Sequence, residues 1–293
     1  MVAVMKFRLY DCVHEFYELA YPLLARHEAQ NMVMLGNLII GKKGEDKHGW
    51  RDAANWLMAA VFEGDELCLA ALATPPWNIT LCSKDDVANE KMIEYLVNGL
   101  LASELSVPGV VAENDLAQAF ASKYCDLAGL DHEVKFSQRI FELTEVSPKI
   151  PKIGDFRLSR ASDLSFLPYW LEEFGKPMGT SNGLESDTGA YQYFIDTGKL
   201  HVLEVDGTAV SIAGITRETE TAVCVGRVYT PPYFRGKGYA SSVVAQLSQL
   251  YLDKGYKFCV LYTDLANPTS NKIYQEIGYK AVCDSLEIKF KEE

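Results

Sequence analysis

The sequence lacks the cysteine and histidine spacing of a disulfide-rich or zinc-binding protein. Its seven cysteines are odd in number, are scattered from Cys12 to Cys283 and form no Cys-x-x-Cys pair, and its five histidines do not cluster with them. Several cysteines lie in apolar runs such as "ELCLAAL" and "YKFCVLY", which is typical of reduced, buried thiols in a cytosolic protein. We therefore expect a cytoplasmic protein with no metal.

Long hydrophobic runs and an excess of positive charge are also missing. The longest apolar stretch, "MVMLGNLIIG", is too short to span a bilayer, and "MVAVMKFRLYDCVHEF" meets charge too early for a signal peptide. The chain has 40 acidic and 28 basic residues, a net charge of −12. This balance argues against a general nucleic-acid binder, because phosphate backbones favour clustered lysine and arginine. We expect neither a membrane nor a nucleic acid as a partner.

The sequence does contain two halves with a similar order of predicted elements. Residues 144–155, "TEVSPKIPKIGD", have two prolines and no apolar period, which is typical of a linker. In the second half, periodicity predicts a strand, helices, a hairpin with an Asp-Gly turn, and the strand "TAVCVGRVYT" leading into a helix over 240–255. The strand "KFCVLYTD", a short helix in "NPTSNKIYQEIGY" and a final strand follow. We predict two domains, 1–147 and 148–293.

The stretch "YTPPYFRGKGYAS", residues 229–241, places two glycines and two cations between a predicted strand and a predicted helix. A helix N-terminus offers unpaired amides and the positive end of the helix dipole, which suits an anion. Gly236 and Gly238 let the backbone approach a bulky ligand, and Arg235 and Lys237 add charge. A glycine turn that only relieves steric crowding remains an alternative.

The spacing of this loop excludes two common phosphate-binding motifs. A Walker A loop needs a lysine after a longer gap and before Ser or Thr. A dinucleotide fingerprint needs a third glycine where Ser241 stands and an acidic residue about twenty positions on, where Tyr256 stands. The first half has no such loop, since its strand "NITLC" is followed by "SKDD".

Arg235-x-x-Gly238-x-Ala240 resembles the Gln/Arg-x-x-Gly-x-Gly/Ala acyl-CoA signature of the GCN5-related N-acetyltransferases. About thirty residues further on, "NPTSNKIYQEIGYK" (267–280) is similar to that family's later motif, with its Asn-Pro, its tyrosine and its closing Gly-aromatic pair. The resemblance covers roughly residues 155–290. The first half matches only as a degenerate version, so the whole chain resembles a tandem two-domain acetyltransferase with one working site.

The resemblance implies an α/β (α+β) fold of two acetyltransferase-like domains, each a mixed, mostly antiparallel sheet flanked by helices. Residues 1–147 would be the degenerate copy, and residues 148–293 would bind acetyl-CoA and pass its acetyl group to an amine by direct attack in a ternary complex. The acceptor would be a small-molecule or peptide amine. A non-catalytic acyl-CoA sensor and an enzyme that uses another nucleotide remain alternatives, and the sequence leaves the oligomeric state open.

The resemblance also implies a role for each motif residue. The backbone of Val228–Thr230 would pair with pantetheine, and the amides of Gly236–Ser241 would hold the pyrophosphate with Arg235. Tyr274 would be the general acid for the departing thiolate, with packing in the core at helical spacing as its alternative. The implied cofactor-binding residues are Val228, Tyr229, Thr230, Arg235, Gly236, Lys237, Gly238, Tyr239, Ala240, Ser241, Asn267 and Asn271.

The general base and the acceptor pocket are left open by the sequence. Direct attack requires a neutral amine, so a base or a water relay must take its proton. The candidate bases are Glu172, Glu173, His201 and Glu204. An aromatic acceptor wall of Tyr169, Trp170 and Phe174 is a further hypothesis, with core packing as its alternative, and Arg227 would contact either the acceptor or a phosphate.

Overall fold

The computed structural model describes residues 4–44, 53–85, 89–178 and 188–292, and both halves of the chain have the same order of elements. The first half contains β1 (Met5–Tyr10), α1 (Val13–Leu24), α2 (Met32–Lys43), β2 (Leu57–Glu63), β3 (Glu66–Ala73), β4 (Ile79–Ser83), α3 (Glu90–Ala102), β5 (Gly109–Glu113), α4 (Asn114–Ala128) and β6 (Leu130–Leu143). The second half contains β7 (Asp155–Leu158), α5 (Leu167–Gly175), α6 (Thr188–Asp196), β8 (Leu200–Val205), β9 (Thr208–Glu218), β10 (Ala222–Tyr229), α7 (Tyr239–Asp253), β11 (Phe258–Asp264), α8 (Pro268–Ile277) and β12 (Lys280–Glu292).

The chain divides into two compact units. Unit 1 contains Met1–Ile140, Thr263–Ala266 and Val282–Glu293, and unit 2 contains Phe141–Tyr262 and Asn267–Ala281. This division differs from the predicted ranges 1–147 and 148–293 mainly because most of β12 lies in unit 1. The functional split into a degenerate and a cofactor-binding domain remains a prediction.

In unit 1, the strands follow the order β1-β2-β3-β4-β5-β12-β6. The β4–β5 pair is parallel, and the pairs β1–β2, β2–β3, β3–β4 and β5–β12 are antiparallel. Alternate side chains of β2 face opposite sides of the sheet, so that α3 and α4 pack on one face around Phe120 and α1 and α2 pack on the other around Phe16. Ile288 of β12 is fully buried in the first of these cores, which explains why the last strand joins unit 1.

In unit 2, the strands follow the order β11-β10-β9-β8-β7. The β10–β11 pair is parallel, and the pairs β9–β10, β8–β9 and β7–β8 are antiparallel. Helices α7 and α8 cover one face around Val243, Leu247 and Ile277, and α5 and α6 cover the other around Leu167 and Leu200. Each unit is therefore a mixed, mostly antiparallel sheet flanked by helices, and the predicted fold class is confirmed.

The segment 144–154 joins β6 to β7 and packs against α7 and α8 of unit 2, to which it belongs. The amide of Ser147 donates to the carbonyl of Ile277 over 2.8 Å. The amide of Ile153 donates to Oγ of Ser242, which is fully buried, over 2.8 Å, and Gln246 Nε2 donates to the Ile153 carbonyl over 3.4 Å. The predicted linker is therefore tied to the first turns of α7.

None of the helices in the described part of the chain has the length and apolar character needed to cross a bilayer. The apolar run "MVMLGNLIIG" forms most of α2, whose residues Met32, Leu35 and Leu38 are buried in the core of unit 1. Its hydrophobicity is therefore accounted for by packing.

Candidate active site

Strand β10 contains an irregularity at the point where it approaches the predicted cofactor loop. Its parallel ladder with β11 joins Ala222–Cys224 to Phe258–Val260, while β10 itself continues to Tyr229. Opposite β9, the register shifts between Gly226 and Tyr229, and Arg227 has a φ of 51°. Such a bulge takes backbone amides out of the regular ladder and bends the strand. This is the segment whose backbone the resemblance assigns to pantetheine.

The end of β10 is anchored by hydroxyl groups. The fully buried Ser211 places its Oγ 2.8 Å from Thr230 Oγ1, and it donates to the carbonyl of Tyr229 over 3.1 Å. Val228 packs towards the α7 and α8 core, whereas Tyr229 packs towards α5. The backbone from Val228 to Thr230 is therefore held in place from both faces.

The loop between β10 and α7 is exposed and is bent by two glycines. Pro232–Phe234 forms a single 3₁₀ turn, and Gly236 and Gly238 have φ values of 77° and 78°. Only glycine adopts this left-handed region without strain, so both positions require it. Arg235 and Lys237 are exposed, and Arg235 Nε donates to the Thr230 carbonyl over 2.9 Å, which fixes its guanidinium beside the loop.

Helix α7 starts without a side-chain cap. Gly238 is the N-cap residue and accepts from the amide of Ser242 over 3.0 Å, but it has no side chain that could accept from the first turn. The amides of Tyr239, Ala240 and Ser241 have no acceptor within the helix. They lie at the positive end of its dipole, next to both cationic side chains. This arrangement suits a phosphate group.

The matching position in unit 1 is different. Helix α3 follows β4 as α7 follows β10, but Asn89 caps it and accepts from the amide of Met92 over 3.2 Å. The loop between them carries Lys84 and Asp85, and residues 86–88, which include the second aspartate of "SKDD", lie outside the described residues. A side-chain acceptor therefore already caps the first turn of α3.

The asparagines of the second motif form the start of α8. Asn267 is its N-cap and accepts from the amide of Ser270 over 3.1 Å. Asn271 Nδ2 donates to the carbonyl of Asn267 over 2.8 Å. In this structure both side chains contribute to the helix start. Their predicted contact with pantetheine or the CoA tail remains a prediction.

Tyr274 lies on the inner face of α8. It is 9% exposed and packs against Phe141 and Tyr279, with ring centroids 6.5 and 6.1 Å away. Burial raises the pKa of its phenol to about 12. Tyr274 is therefore both a core residue and a hydroxyl that stays protonated at neutral pH.

The four candidate bases are engaged or enclosed. Glu172 and Glu173 both pair with Lys176, at 3.6 Å in the case of Glu172. His201 is 3% exposed and stacks on Phe156 at 4.8 Å, and burial lowers its pKa to about 4.

Glu204 is engaged as well. Its Oε2 accepts from Arg157 Nε over 2.7 Å and lies 3.5 Å from Nη2 of Arg160. The Glu204 carboxylate thus belongs to a network of ion pairs around the neighbouring strands β7 and β8.

The predicted aromatic wall is only partly brought together. Trp170 packs against Phe166 at 4.5 Å and against Tyr229 at 6.0 Å between ring centroids. Tyr169 is 68% exposed, and Phe174 is half-buried. Arg227 places its guanidinium 4.4 Å from the centre of the Phe194 ring, so it faces α6.

Sequence reasoning missed the residues that support the site from behind. Ser211 and Ser242 are small polar residues inside apolar runs, "AVSIAGI" and "YASSVVAQL", which is the pattern that marks a buried hydroxyl with a specific partner. Among the described residues, no group of three or more His, Cys, Asp or Glu side chains could hold a metal ion.

The fold of the chain is that of known acetyltransferase structures. A GCN5-related N-acetyltransferase from Sphaerobacter thermophilus is 15% identical, with a TM-score of 0.60 over 98% of this chain and 95% of that one. A GNAT-family acetyltransferase from Colwellia psychrerythraea is 10% identical, with a TM-score of 0.58 over 98% of this chain and 100% of that one. A Drosophila protein is 12% identical, with a TM-score of 0.67 over 98% of both chains.

Residues 206–287, which contain both motifs, match a protein-family model described as "FR47-like protein". No curated protein sequence matches the chain significantly. The resemblance to the GCN5-related N-acetyltransferases is thereby confirmed: the chain has the fold of that family, and its motif-bearing segment matches the FR47-like model.

Proposed function

We propose that the chain is an acetyl-CoA-dependent N-acetyltransferase whose cofactor binds at the β10–α7 loop. The observation that carries this proposal is the uncapped start of α7, preceded by two glycines with positive φ and flanked by Arg235 and Lys237. The acetyl group would pass directly to a small-molecule or peptide amine in a ternary complex. Such a transfer needs alignment of the two substrates, charge stabilisation and proton transfer, to which the chain's own residues would contribute.

The pyrophosphate of CoA fits the chemistry of this loop. The amides at the start of α7 have no acceptor within the helix and would donate to the pyrophosphate, and charge-assisted hydrogen bonds contribute roughly 1.5–3 kcal/mol each. Arg235 is already oriented by the bond from its Nε to the Thr230 carbonyl, and we assign its two terminal nitrogens to the phosphate. In unit 1, Asn89 already caps α3, and the described part of the loop after β4 contains Lys84 and Asp85 but no glycine or arginine, which favours the β10–α7 loop as the cofactor site.

The bulge of β10 suits the reacting end of acetyl-CoA. Negative charge develops on the thioester oxygen during attack, and a fixed backbone amide near Val228 would stabilise it. Because Ser211 and the two flanking cores hold this backbone, the donor would be in place before the substrate arrives. Alignment of the two substrates would supply most of the remaining acceleration.

We propose that Tyr274 donates a hydrogen bond to the departing thiolate. Its pKa of about 12 keeps the phenol protonated throughout the neutral range. Complete proton transfer to a thiolate with an ordinary pKa of about 8.5 would be unfavourable by roughly 3.5 pKa units, or about 5 kcal/mol. Its role is therefore that of a hydrogen-bond donor that stabilises the leaving group.

An acyl-CoA sensor without turnover is the second candidate, and the state of the candidate bases favours it. Glu172 and Glu173 share Lys176, Glu204 is paired with Arg157, and His201 is enclosed with a low pKa. An enzyme with this site would deprotonate its amine through water or bind its neutral fraction.

Two measurements test the proposal. Thermal-shift titration with acetyl-CoA, ATP and NAD should show stabilisation by acetyl-CoA alone, since the loop fits neither nucleotide motif. Tight ATP or NAD binding without CoA binding would overturn it. Release of free CoA, followed with a thiol reagent across a panel of amines, then separates enzyme from sensor. Acetyl-CoA binding with no release on any amine would favour the sensor.

We further propose a cytoplasmic location. All seven cysteines are free thiols in the structure, and five of them are buried. Chains that keep several thiols unpaired are typical of reducing compartments.

A further inference from the structure

A cavity of about 420 Å³ lies on the α5 face of unit 2, beside the proposed cofactor loop. It lies within the volume range of small-molecule sites, roughly 300–1,000 Å³. Its aromatic lining residues are Phe166, Trp170, Tyr233 and Phe234. Its charged lining residues are Arg157, Arg160, Asp163 and Glu204. The cavity therefore offers both apolar and ionic groups to one occupant.

Three of the four charged side chains are committed to one another. Arg157 donates to both carboxylate oxygens of Asp163, over 2.7 and 2.9 Å, and to Glu204 over 2.7 Å. Its remaining contact is the Leu158 carbonyl at 3.1 Å, and the Asp163 side chain is 4% exposed. Asp163 also accepts from the amide of Arg160 over 2.9 Å. Arg157, Asp163 and Glu204 therefore hold one another in fixed positions at the edge of the cavity.

Arg160 is the exception. Its side chain is 61% exposed, its Nη2 lies 3.5 Å from Glu204, and its Nε lies 4.0 Å from Asp163. These are long contacts for a guanidinium with five donors. The fork geometry of the free donors matches a carboxylate. Arg160 therefore offers one accessible positive charge to an occupant, whereas a polyanion would also meet the carboxylate of Glu204.

The cavity adjoins the place where acetyl transfer would occur. Trp170, one of the aromatic residues that line the cavity, packs on Tyr229 at the end of β10, with ring centroids 6.0 Å apart. Tyr233 and Phe234 lead directly into Arg235 of the cofactor loop. An acceptor whose amine reaches the β10 backbone would therefore place its remaining atoms against the aromatic residues that line the cavity.

We propose that this cavity holds the non-reacting end of the acceptor, and that the acceptor is an amino acid-like molecule with a carboxylate bound by Arg160 and an aromatic or branched apolar group against Trp170 and Tyr233. The inference rests on the proposed acetyltransferase function. Arg160 is then a specificity-determining residue that makes no contact with the reacting atoms.

The test compares two product analogues that differ only in the proposed recognition group. Isothermal titration calorimetry with N-acetyl-L-phenylalanine and with N-acetyl-L-phenylalaninamide, each in saturating CoA, should show the acid binding about tenfold tighter or more, as expected for a charge-assisted pair. Arg160→Gln should remove this preference and leave CoA affinity unchanged, and Arg160→Lys should keep part of it. Arg26→Gln, which removes the same charge at an exposed position of unit 1, should keep all of it.

The outcomes separate the inference about Arg160 from the proposed acetyltransferase function. Equal affinity for the two analogues, no binding of either, or an unchanged preference in Arg160→Gln would overturn the inference. Weaker CoA binding in Arg160→Gln would overturn it too, because Arg160 would then belong to the cofactor site. Failure of the wild type to bind CoA would instead refute the proposed function. Tyr233→Ser should weaken both analogues to the same extent, because it removes an aromatic contact that both share and no charge.

Discussion

Replacing Gly238 with valine should reduce CoA binding far more than it reduces stability. Gly238 has a φ of 78°, and a Cβ added there would lie 3.5 Å from Ile153 Cδ1, which is an ordinary contact. The cost to the fold is therefore mainly the left-handed backbone, about 1–2 kcal/mol. The chain can relieve this strain by turning the loop, and turning it moves the amides that start α7.

The effect on binding follows from those amides. Loss of two charge-assisted hydrogen bonds at roughly 1.5 kcal/mol each amounts to about 3 kcal/mol, which is more than a hundredfold in affinity. Calorimetric titration with CoA measures this directly.

Gly64→Val is the matched control, because Gly64 has a φ of 65° and nothing within 4 Å of its added Cβ. It should lose similar stability in denaturant unfolding and bind CoA normally. If Gly238→Val bound CoA within about threefold of the wild type, a difference under about 1 kcal/mol, the assignment of these amides to the pyrophosphate would be wrong.

Three further predictions concern groups in unit 2. Tyr274→Phe should lower the rate of CoA release while CoA affinity stays nearly constant, since the ring packing is kept; full activity across pH would remove its catalytic role. His201 has a pKa lowered from 6.5 to about 4 by burial, so the unfolded state binds more protons between these values, and the free energy of unfolding should fall by about 3 kcal/mol as pH drops from 6.5 to 4. His201→Phe should flatten this dependence in urea titrations, and an unchanged slope would contradict it. Arg157→Met should cost about 3–5 kcal/mol of unfolding free energy, because it leaves the Asp163 carboxylate buried without its main partner; the exposed pair of Lys272 should cost under about 1 kcal/mol when broken by Lys272→Gln, and equal losses would refute the burial argument.

The parts of the fold that depend on local pattern were predictable. Helix α7 begins at Tyr239, one residue before the predicted start at residue 240. Its start was predictable because glycines precede it and apolar residues recur at helical spacing after them. Gly278 ends α8 with a φ of 116°, as its position after the periodic residues indicated.

The sequence did not predict the helices and the strand of the first 44 residues. Helix α2 is apolar on more than one side, so it has no helical period, and α1 contains Pro22 within its length. Such patterns identify a buried segment without identifying its conformation. The place of β12 in unit 1 was equally hidden, because strand pairing between distant segments is decided by packing, here by Ile288.

The candidate site shows the same limit. The loop and both motifs are contiguous in sequence, so their chemistry could be inferred from spacing. The pairing of Glu204 with Arg157 depends on strand register between β7 and β8, and the enclosure of His201 depends on which face of β8 it occupies. These contacts decide whether a carboxylate or an imidazole is available as a base, and they are properties of the folded chain alone.

A crystal structure of the chain with acetyl-CoA would show directly where the cofactor binds. We expect the pyrophosphate within hydrogen-bonding distance of the amides of Gly236–Ser241, with the thioester beside Val228 and the bulge of β10. Pyrophosphate bound at the start of α3, or at any place away from the β10–α7 loop, would contradict this expectation.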